Sequence, residues 1–269
     1  AQTSHYELEL LSQAPENPNG TTPSKHRIWH RKVQGFSCYD DLPRAEPGTL
    51  YWRVRGVTDD GKPVGTYSDA IPYTVDLNNA SYAATLGDSI SHGGGAVSYS
   101  PADWEYSYQT FLSFPVANLS YSGDTAASMA ARFERDVLPY KPKYLIIMVG
   151  TNSLRGGTPA AEVISDLRVL SNKCTANSVR PIFLTLPPIN PTAIKRVFGE
   201  PSAPEWQQNF AEVNKYIRQQ PYYIDIAPHL TGKDGTLPSQ WAVDGLHIDS
   251  DGKKLIADII NANWKRVTI

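Results

Sequence analysis

Cysteine is nearly absent from this 269-residue chain: Cys38 and Cys174 stand far apart, and no Cys-x-x-Cys pair occurs. Such usage argues against a disulfide scaffold and a cysteine-rich structural zinc site, and it leaves the redox compartment open. No sign of charge prevails, with 25 Lys plus Arg against 27 Asp plus Glu. A field that would draw in nucleic acid or an anionic membrane is therefore missing. Long apolar runs are missing too. The longest, Tyr-Leu-Ile-Ile-Met-Val at 144–149, falls far short of the roughly 20 residues that span a bilayer. No basic-then-apolar leader opens the chain, so any signal peptide of an exported protein is expected to have been removed. Phenylalanine is scarce: 7 Phe stand against 15 Tyr and 6 Trp, so most rings carry a polar edge that can face water or a polar ligand.

What is present is ordinary globular material, 41% hydrophobic with a mean hydropathy of -0.38. That suffices for one large domain or two small ones. No internal repeat, coiled coil or low-complexity tract occurs. Two textures divide the chain. Residues 1–77 read as strands separated by turn chemistry, with no helical periodicity. The run 6–11 alternates, 15–23 is rich in turn residues, and 50–57 (Leu-Tyr-Trp-Arg-Val-Arg-Gly-Val) alternates before the hairpin residues Asp59, Asp60 and Gly61. Tyr67 and Ser68 and a last strand over 71–75 follow. This segment reads as a β-sandwich-like module.

From Ser81 the texture changes to short apolar strands alternating with helical stretches, which predicts a parallel sheet with helices on both faces. Strands are expected over 82–86, 116–119, 143–149, 181–186 and 222–226. Helices are expected over 101–113, 125–138, 159–175, 204–219 and 251–265. In open parallel sheets, ligands bind beyond the carboxyl ends of the strands, so the loops there are the places to look. They hold Gly87-Asp88-Ser89-Ile90, Ser122-Gly123-Asp124-Thr125, Gly150-Thr151-Asn152-Ser153 and, near the end, Asp244-Gly245-Leu246-His247. Any one of these alone reads more simply as a turn or a helix cap.

As an ordered set, these blocks resemble the SGNH or GDSL hydrolase family, which is named for a Ser, a Gly, an Asn and a His in four separate blocks. The resemblance spans residues 81 to about 265. Ile90 stands where Leu is usual, and Ser120 replaces a glycine common ahead of the second block. It implies an α/β fold, a flavodoxin-like three-layer α/β/α arrangement around a five-stranded parallel sheet. It also implies a serine esterase with Ser89 as nucleophile, His247 as base and Asp244 as the carboxylate that orients it. The backbone N–H groups of Ser89 and Gly123 and the side-chain amide of Asn152 would form the oxyanion hole.

Elementary chemistry asks for the same residue types. A serine hydroxyl is a weak nucleophile at neutral pH and needs a base to take its proton; an imidazole suits that task. A carboxylate on the other ring nitrogen fixes the tautomer and stabilises the imidazolium that forms. Donors fixed in advance stabilise the oxyanion. Asp88 could compete with Asp244 as the orienting carboxylate, but beside the nucleophile it reads better as a partner of loop backbone. His92, in a glycine-rich stretch with no Lys-Ser/Thr ending, reads as structural or as part of a rim. Arg155 reads as a solvated or capping residue.

The first domain, 1–77, has its own resemblance. Leu42, Pro43 and 47–55, with Asp60-Gly61 and Tyr67-Ser68, are similar to the last strands of a fibronectin type III domain, whose first two strands have no counterpart before Tyr6. Such a domain needs about seven strands and close to 100 residues, which favours a supporting role for the module. The second domain, 78–269, is expected to need no metal or other cofactor and to act on a small-molecule or polysaccharide ester. O-acetyl groups on carbohydrate are favoured, with Trp241, Trp104 and Tyr121 as substrate-binding rings and Tyr106 and Tyr108 close by. A lipid esterase or lysophospholipase is the alternative within enzymes. A carbohydrate-binding or adhesion protein with an inactive hydrolase domain is the alternative outside them. Nucleic acid and a transmembrane segment are not expected, and a secreted or periplasmic location follows from the substrate class.

Overall fold

A computed structural model describes residues 3–34, 38, 48–75, 82–94 and 104–269, without the side chains of Val75 and Trp104. The chain divides into two compact units, 1–79 and 80–269. The 77/78 boundary and the segment 39–47 lie outside the described residues.

In the first unit, strands β1 (His5–Leu11), β2 (Arg27–Val33), β3 (Gly48–Val57), β4 (Pro63–Val64) and β5 (Ile71–Val75) form one antiparallel sheet in the order β2-β1-β3-β4, with β5 also beside β3. Among the described residues there is no second sheet to complete a sandwich. The alternation in β3 has a charged inner face. Glu7 lies opposite Arg55 and Glu9 opposite Arg53, and all four are buried. Arg53 Nε donates to Glu9 Oε1 at 2.7 Å, Arg55 Nε to Glu7 Oε2 at 2.7 Å, and Arg27 Nε to Glu9 Oε2 at 2.5 Å. The buried Tyr67 ring lies 4.1 and 4.6 Å from the Arg53 and Arg55 guanidinium carbons. Opposite charges facing across two strands satisfy each other, which is why this face can be inside.

Breaking such a pair strands a buried charge. Arg53→Met is expected to destabilise this unit by about 3 to 5 kcal/mol. Limited proteolysis of the full chain checks this: 1–79 should become sensitive while 80–269 stays resistant.

The second unit is built on β6 (Ala83–Gly87), β7 (Val116–Asn118), β8 (Tyr144–Met148), β9 (Arg180–Leu184) and β10 (Tyr223–Ile224), all parallel, in the order β10-β9-β8-β6-β7. This is the flavodoxin-like order expected from the sequence. β6 and β8 are buried along their whole length, as a central parallel strand requires; β8 is an unbroken apolar run, and β6 carries one polar residue, Thr85. The chain steps from β6 to β7 and then returns past β6 to β8, so the reversal point lies at the carboxyl ends of β6 and β8.

The helices are α1 (Ser89–His92), α2 (Ala126–Asp136), α3 (Thr151–Arg155), α4 (Ala160–Ala176), α5 (Pro191–Phe198), α6 (Trp206–Arg218), α7 (Ala227–Leu230) and α8 (Ser250–Thr268). α2, α4 and α6 each lie in a crossover running in one direction along the sheet and pack side by side. Right-handed crossovers place them on one face, with the β6–β7 connection on the other. α8 packs against that connection and against β10.

The helix expected over 101–113 is replaced, over its described part, by two 3₁₀ turns, Trp104–Tyr106 and Tyr108–Phe111. Their end is tied to α8: Asn261 Nδ2 donates to the Phe111 carbonyl at 3.0 Å, and its Oδ1 accepts from Ser113 N at 2.9 Å. These side-chain bonds serve the Ser113 N–H, which an α-helix would have paired internally, and the Phe111 carbonyl, which would lie among the unpaired carbonyls of its last turn.

Candidate active site

Three of the four sequence blocks follow neighbouring strands. Ser89 is the first residue of α1 after β6, Gly123 lies in the turn after β7, and Asn152 is the second residue of α3 after β8. The turn after β6 is tight because Gly87 has no side chain. A Cβ there would lie 2.4 Å from Ser91 Oγ and 2.9 Å from the Met148 carbonyl. Asp88 then caps α1, its Oδ1 accepting from Ile90 N at 3.0 Å, and Ser89 emerges half-buried at the carboxyl edge of the sheet.

The fourth block comes from the turns before α8. His247 Nε2 lies 3.0 Å from Ser89 Oγ, and His247 Nδ1 lies 2.8 Å from Asp244 Oδ2. The other Asp244 oxygen accepts from the backbone N–H groups of Leu246 and His247, each at 2.8 Å. Burial alone would push the Asp244 carboxyl upward. The hydrogen bond and charge of His247 and the two backbone donors outweigh it and hold this carboxyl below its ordinary value. An ionised Asp244 accepts the hydrogen bond of Nδ1–H and so keeps the ring proton on Nδ1, which leaves the lone pair of Nε2 facing the serine hydroxyl.

Asp88 makes no such contact with the imidazole. It is buried, its Oδ2 has no hydrogen-bond partner among the described residues, and burial pushes its carboxyl up to about 6. In the turn after β7, Gly123 has φ +88°, a left-handed conformation that glycine adopts at no steric cost, and there is open space where a Cβ would stand. Among the described residues, the N–H groups of Ser89 and Gly123 donate to nothing. Asn152 Nδ2 donates to the Asp124 carbonyl at 3.0 Å, which orients the amide through one of its two hydrogens. Asp124 is held in turn by Arg132 and Ser128.

The aromatic candidates separate. Tyr121 is 51% exposed and stacks on His92 at 6.1 Å, while its backbone N–H is bonded to the Gly87 carbonyl at 2.9 Å. His92, whose ring Nδ1 is 2.9 Å from Ser122 Oγ, is pushed down to about 4 by burial and the nearby cations Arg132 and Lys253, and so is a neutral member of this rim. Trp241 is half-buried, packs partly on the core and lies over Gly252 of α8. The side chain of Trp104 lies outside the described residues. Tyr108 is no cleft wall: it is fully buried beneath the nucleophile turn, its hydroxyl 3.2 Å from Ser91 Oγ. Arg155 is paired with Glu200 at 3.0 Å.

Phe198, the last residue of α5, was not singled out by sequence. It is 42% exposed and meets the His247 ring edge-on at 6.0 Å. No helix is expected there from the sequence, although its caps are ordinary ones: Asn190 accepts from Ala193 N, Pro191 opens α5, and Gly199 ends it with φ +72°. Nothing in that pattern says that its last side chain reaches His247.

The family model described as GDSL-like lipase/acylhydrolase matches residues 85–255. The chain belongs to this family. The matched region contains all four blocks of the site. The GDSL fold is shared with a GDSL-like lipase from Bacteroides thetaiotaomicron at a TM-score of 0.56 and 17% identity, over 71% of this chain and 91% of that one. A candidate acylhydrolase from Bacteroides fragilis gives a TM-score of 0.57 and 19% identity, over 70% and 88%. Among curated proteins, the uncharacterised lipoprotein YqeF of Bacillus subtilis is 34% identical over 80 residues, or 28% of this chain. The match spans a third of the length of that relative. Among the described residues, no helix is long and apolar enough to cross a membrane.

Proposed function

We propose that this protein is a serine esterase that removes O-acetyl groups from carbohydrate through an acyl-enzyme. The observation that carries the mechanism is the unbroken chain Ser89 Oγ, His247 Nε2, His247 Nδ1 and Asp244 Oδ2, at 3.0 and 2.8 Å. Ser89 Oγ forms a bond to the ester carbonyl carbon while its proton passes to His247 Nε2. The oxyanion is met by the N–H groups of Ser89 and Gly123 and by the second Asn152 amide hydrogen. Collapse expels the alcohol, which takes the proton from His247. Water then attacks the acyl-serine while giving its proton to His247; collapse breaks the acyl bond to Ser89 Oγ, which takes that proton back, and the acid leaves.

An oxyanion donor acts most strongly in the transition state. Asn152→Ala is therefore expected to lower kcat by about 10²- to 10³-fold with a small effect on KM, measured with p-nitrophenyl acetate.

For the substrate, the support is the polar-edged aromatic bias of the sequence and the exposed, stacked Tyr121 ring beside the oxyanion turn. A second reading, a lipid esterase, is favoured by Phe198 at the His247 ring and by Val243, 57% exposed next to Asp244. Acetate release from acetylated xylan, compared with fatty-acid release from a lysophospholipid under the same conditions, tests the two. Faster turnover of the polysaccharide is expected; faster turnover of the lysolipid would replace this reading with the second. A proposed secreted or periplasmic location accompanies a polysaccharide substrate.

A further inference from the structure

Lys253, in the first turn of α8, is completely buried. Its Nζ donates to the Ile90 carbonyl and, at 3.1 Å, to the Gly94 carbonyl. Both carbonyls belong to the turn that carries the nucleophile. Ile90 follows Ser89 directly, and Gly94 N donates back to the Ser89 carbonyl at 2.8 Å, closing that turn. Gly94 is also wedged against the reacting groups: a Cβ placed on it would stand 3.5 Å from Ser89 Cβ and 3.5 Å from His247 Cδ2. α8 begins just after His247, and its Asp249 carbonyl accepts from Lys253 N at 3.0 Å. One side chain thus ties the turn holding Ser89 to the helix start that follows His247.

This arrangement carries a cost. Burial pushes the amine down to about 7, and the nearby Asp88 carboxyl is only partly hydrogen-bonded. A methionine of similar length would fill the space without it. What methionine lacks is N–H donors, whereas a lysine amine keeps two even when neutral, enough for both carbonyls.

We infer that Lys253 is a positioning residue, which clamps the Ile90 and Gly94 carbonyls and so sets the approach of Ser89 to His247. The inference rests on the roles proposed above for those two residues. The test uses the full chain with Lys253→Met, Lys253→Gln and, alongside, Ser89→Ala. Three readouts are taken: kcat and KM for p-nitrophenyl acetate, the rate of Ser89 phosphonylation by a fluorophosphonate, and thermal melting. Lys253→Met is expected to lose about 10- to 100-fold in both kcat and phosphonylation rate with KM within about twofold, as a small misplacement of reacting groups does. Lys253→Gln, which retains amide donors, is expected to fall between it and the parent. The inference is overturned if folded Lys253→Met keeps both rates within about threefold, if its loss lies wholly in KM, or if neither variant folds, because Lys253 then serves only the fold. Activity retained by Ser89→Ala would instead overturn the underlying reading.

Discussion

Ser89→Ala is expected to lower kcat/KM for p-nitrophenyl acetate by about 10⁴-fold or more and to leave the thermal transition nearly unchanged. The size follows from what is removed. Without Oγ no acyl-enzyme can form, and what remains is attack by water aided by His247 and the oxyanion donors, a residue of catalysis far below that of an intact triad. The fold should not notice. Ser89 is half-buried at the first position of α1, where the cap comes from Asp88 Oδ1 and the closing bond from Gly94 N to the Ser89 carbonyl. None of these uses the hydroxyl. Kinetics and a melting curve on one preparation check both halves. A rate equal to that of the parent would sink the esterase mechanism, and a collapsed melting curve would make the rate uninformative about Oγ, so both are read together.

Much of the second unit was legible because its physics is local. β8 is a short run buried on both sides, so apolarity marked it, β6 was marked by its place in the alternation of short strands and helices, and their loops had to carry any ligand chemistry. The blocks around Ser89, Gly123, Asn152 and His247 were legible only as an ordered set, through the family resemblance, since each alone reads as a turn or a helix cap. What stayed hidden depends on partners remote in sequence. Phe198 touches His247 only because α5 packs where it does, and no periodicity encodes that. Lys253 reads as one more solvated lysine on α8 until the fold brings Ile90 and Gly94 over it. Tyr108, near the nucleophile in sequence, ends beneath it rather than beside the substrate. In the first unit, the alternation of β3 was visible, but which face lies inside was not. Arg53 and Arg55 become inner residues only when β1 supplies Glu9 and Glu7 opposite them.

Asp244→Asn is expected to lower kcat by about 10³- to 10⁴-fold with the site geometry intact, whereas Asp88→Asn should cost no more than about tenfold. Asparagine at 244 can keep its Oδ1 on the N–H groups of Leu246 and His247, where the carboxylate already accepts at 2.8 Å. Its amide nitrogen then faces His247 Nδ1. Since that nitrogen can only donate, it holds Nδ1 as an acceptor and moves the ring proton to Nε2, where it blocks transfer from Ser89. Asp88 touches no ring nitrogen, and its cap on Ile90 N survives in asparagine. Stability adds an independent signature. The folded pKa of Asp244 lies below its ordinary 3.8, so the stability this group contributes is complete above that value and is lost as pH falls through the lower folded one. Parent and Asp244→Asn should therefore differ in melting temperature at neutral pH and converge on strong acidification. A pair of kcat measurements and two melting series decide it: if Asp88→Asn were the slower enzyme, the orienting carboxylate would be Asp88 and the hydrogen bond from His247 Nδ1 to Asp244 would be structural.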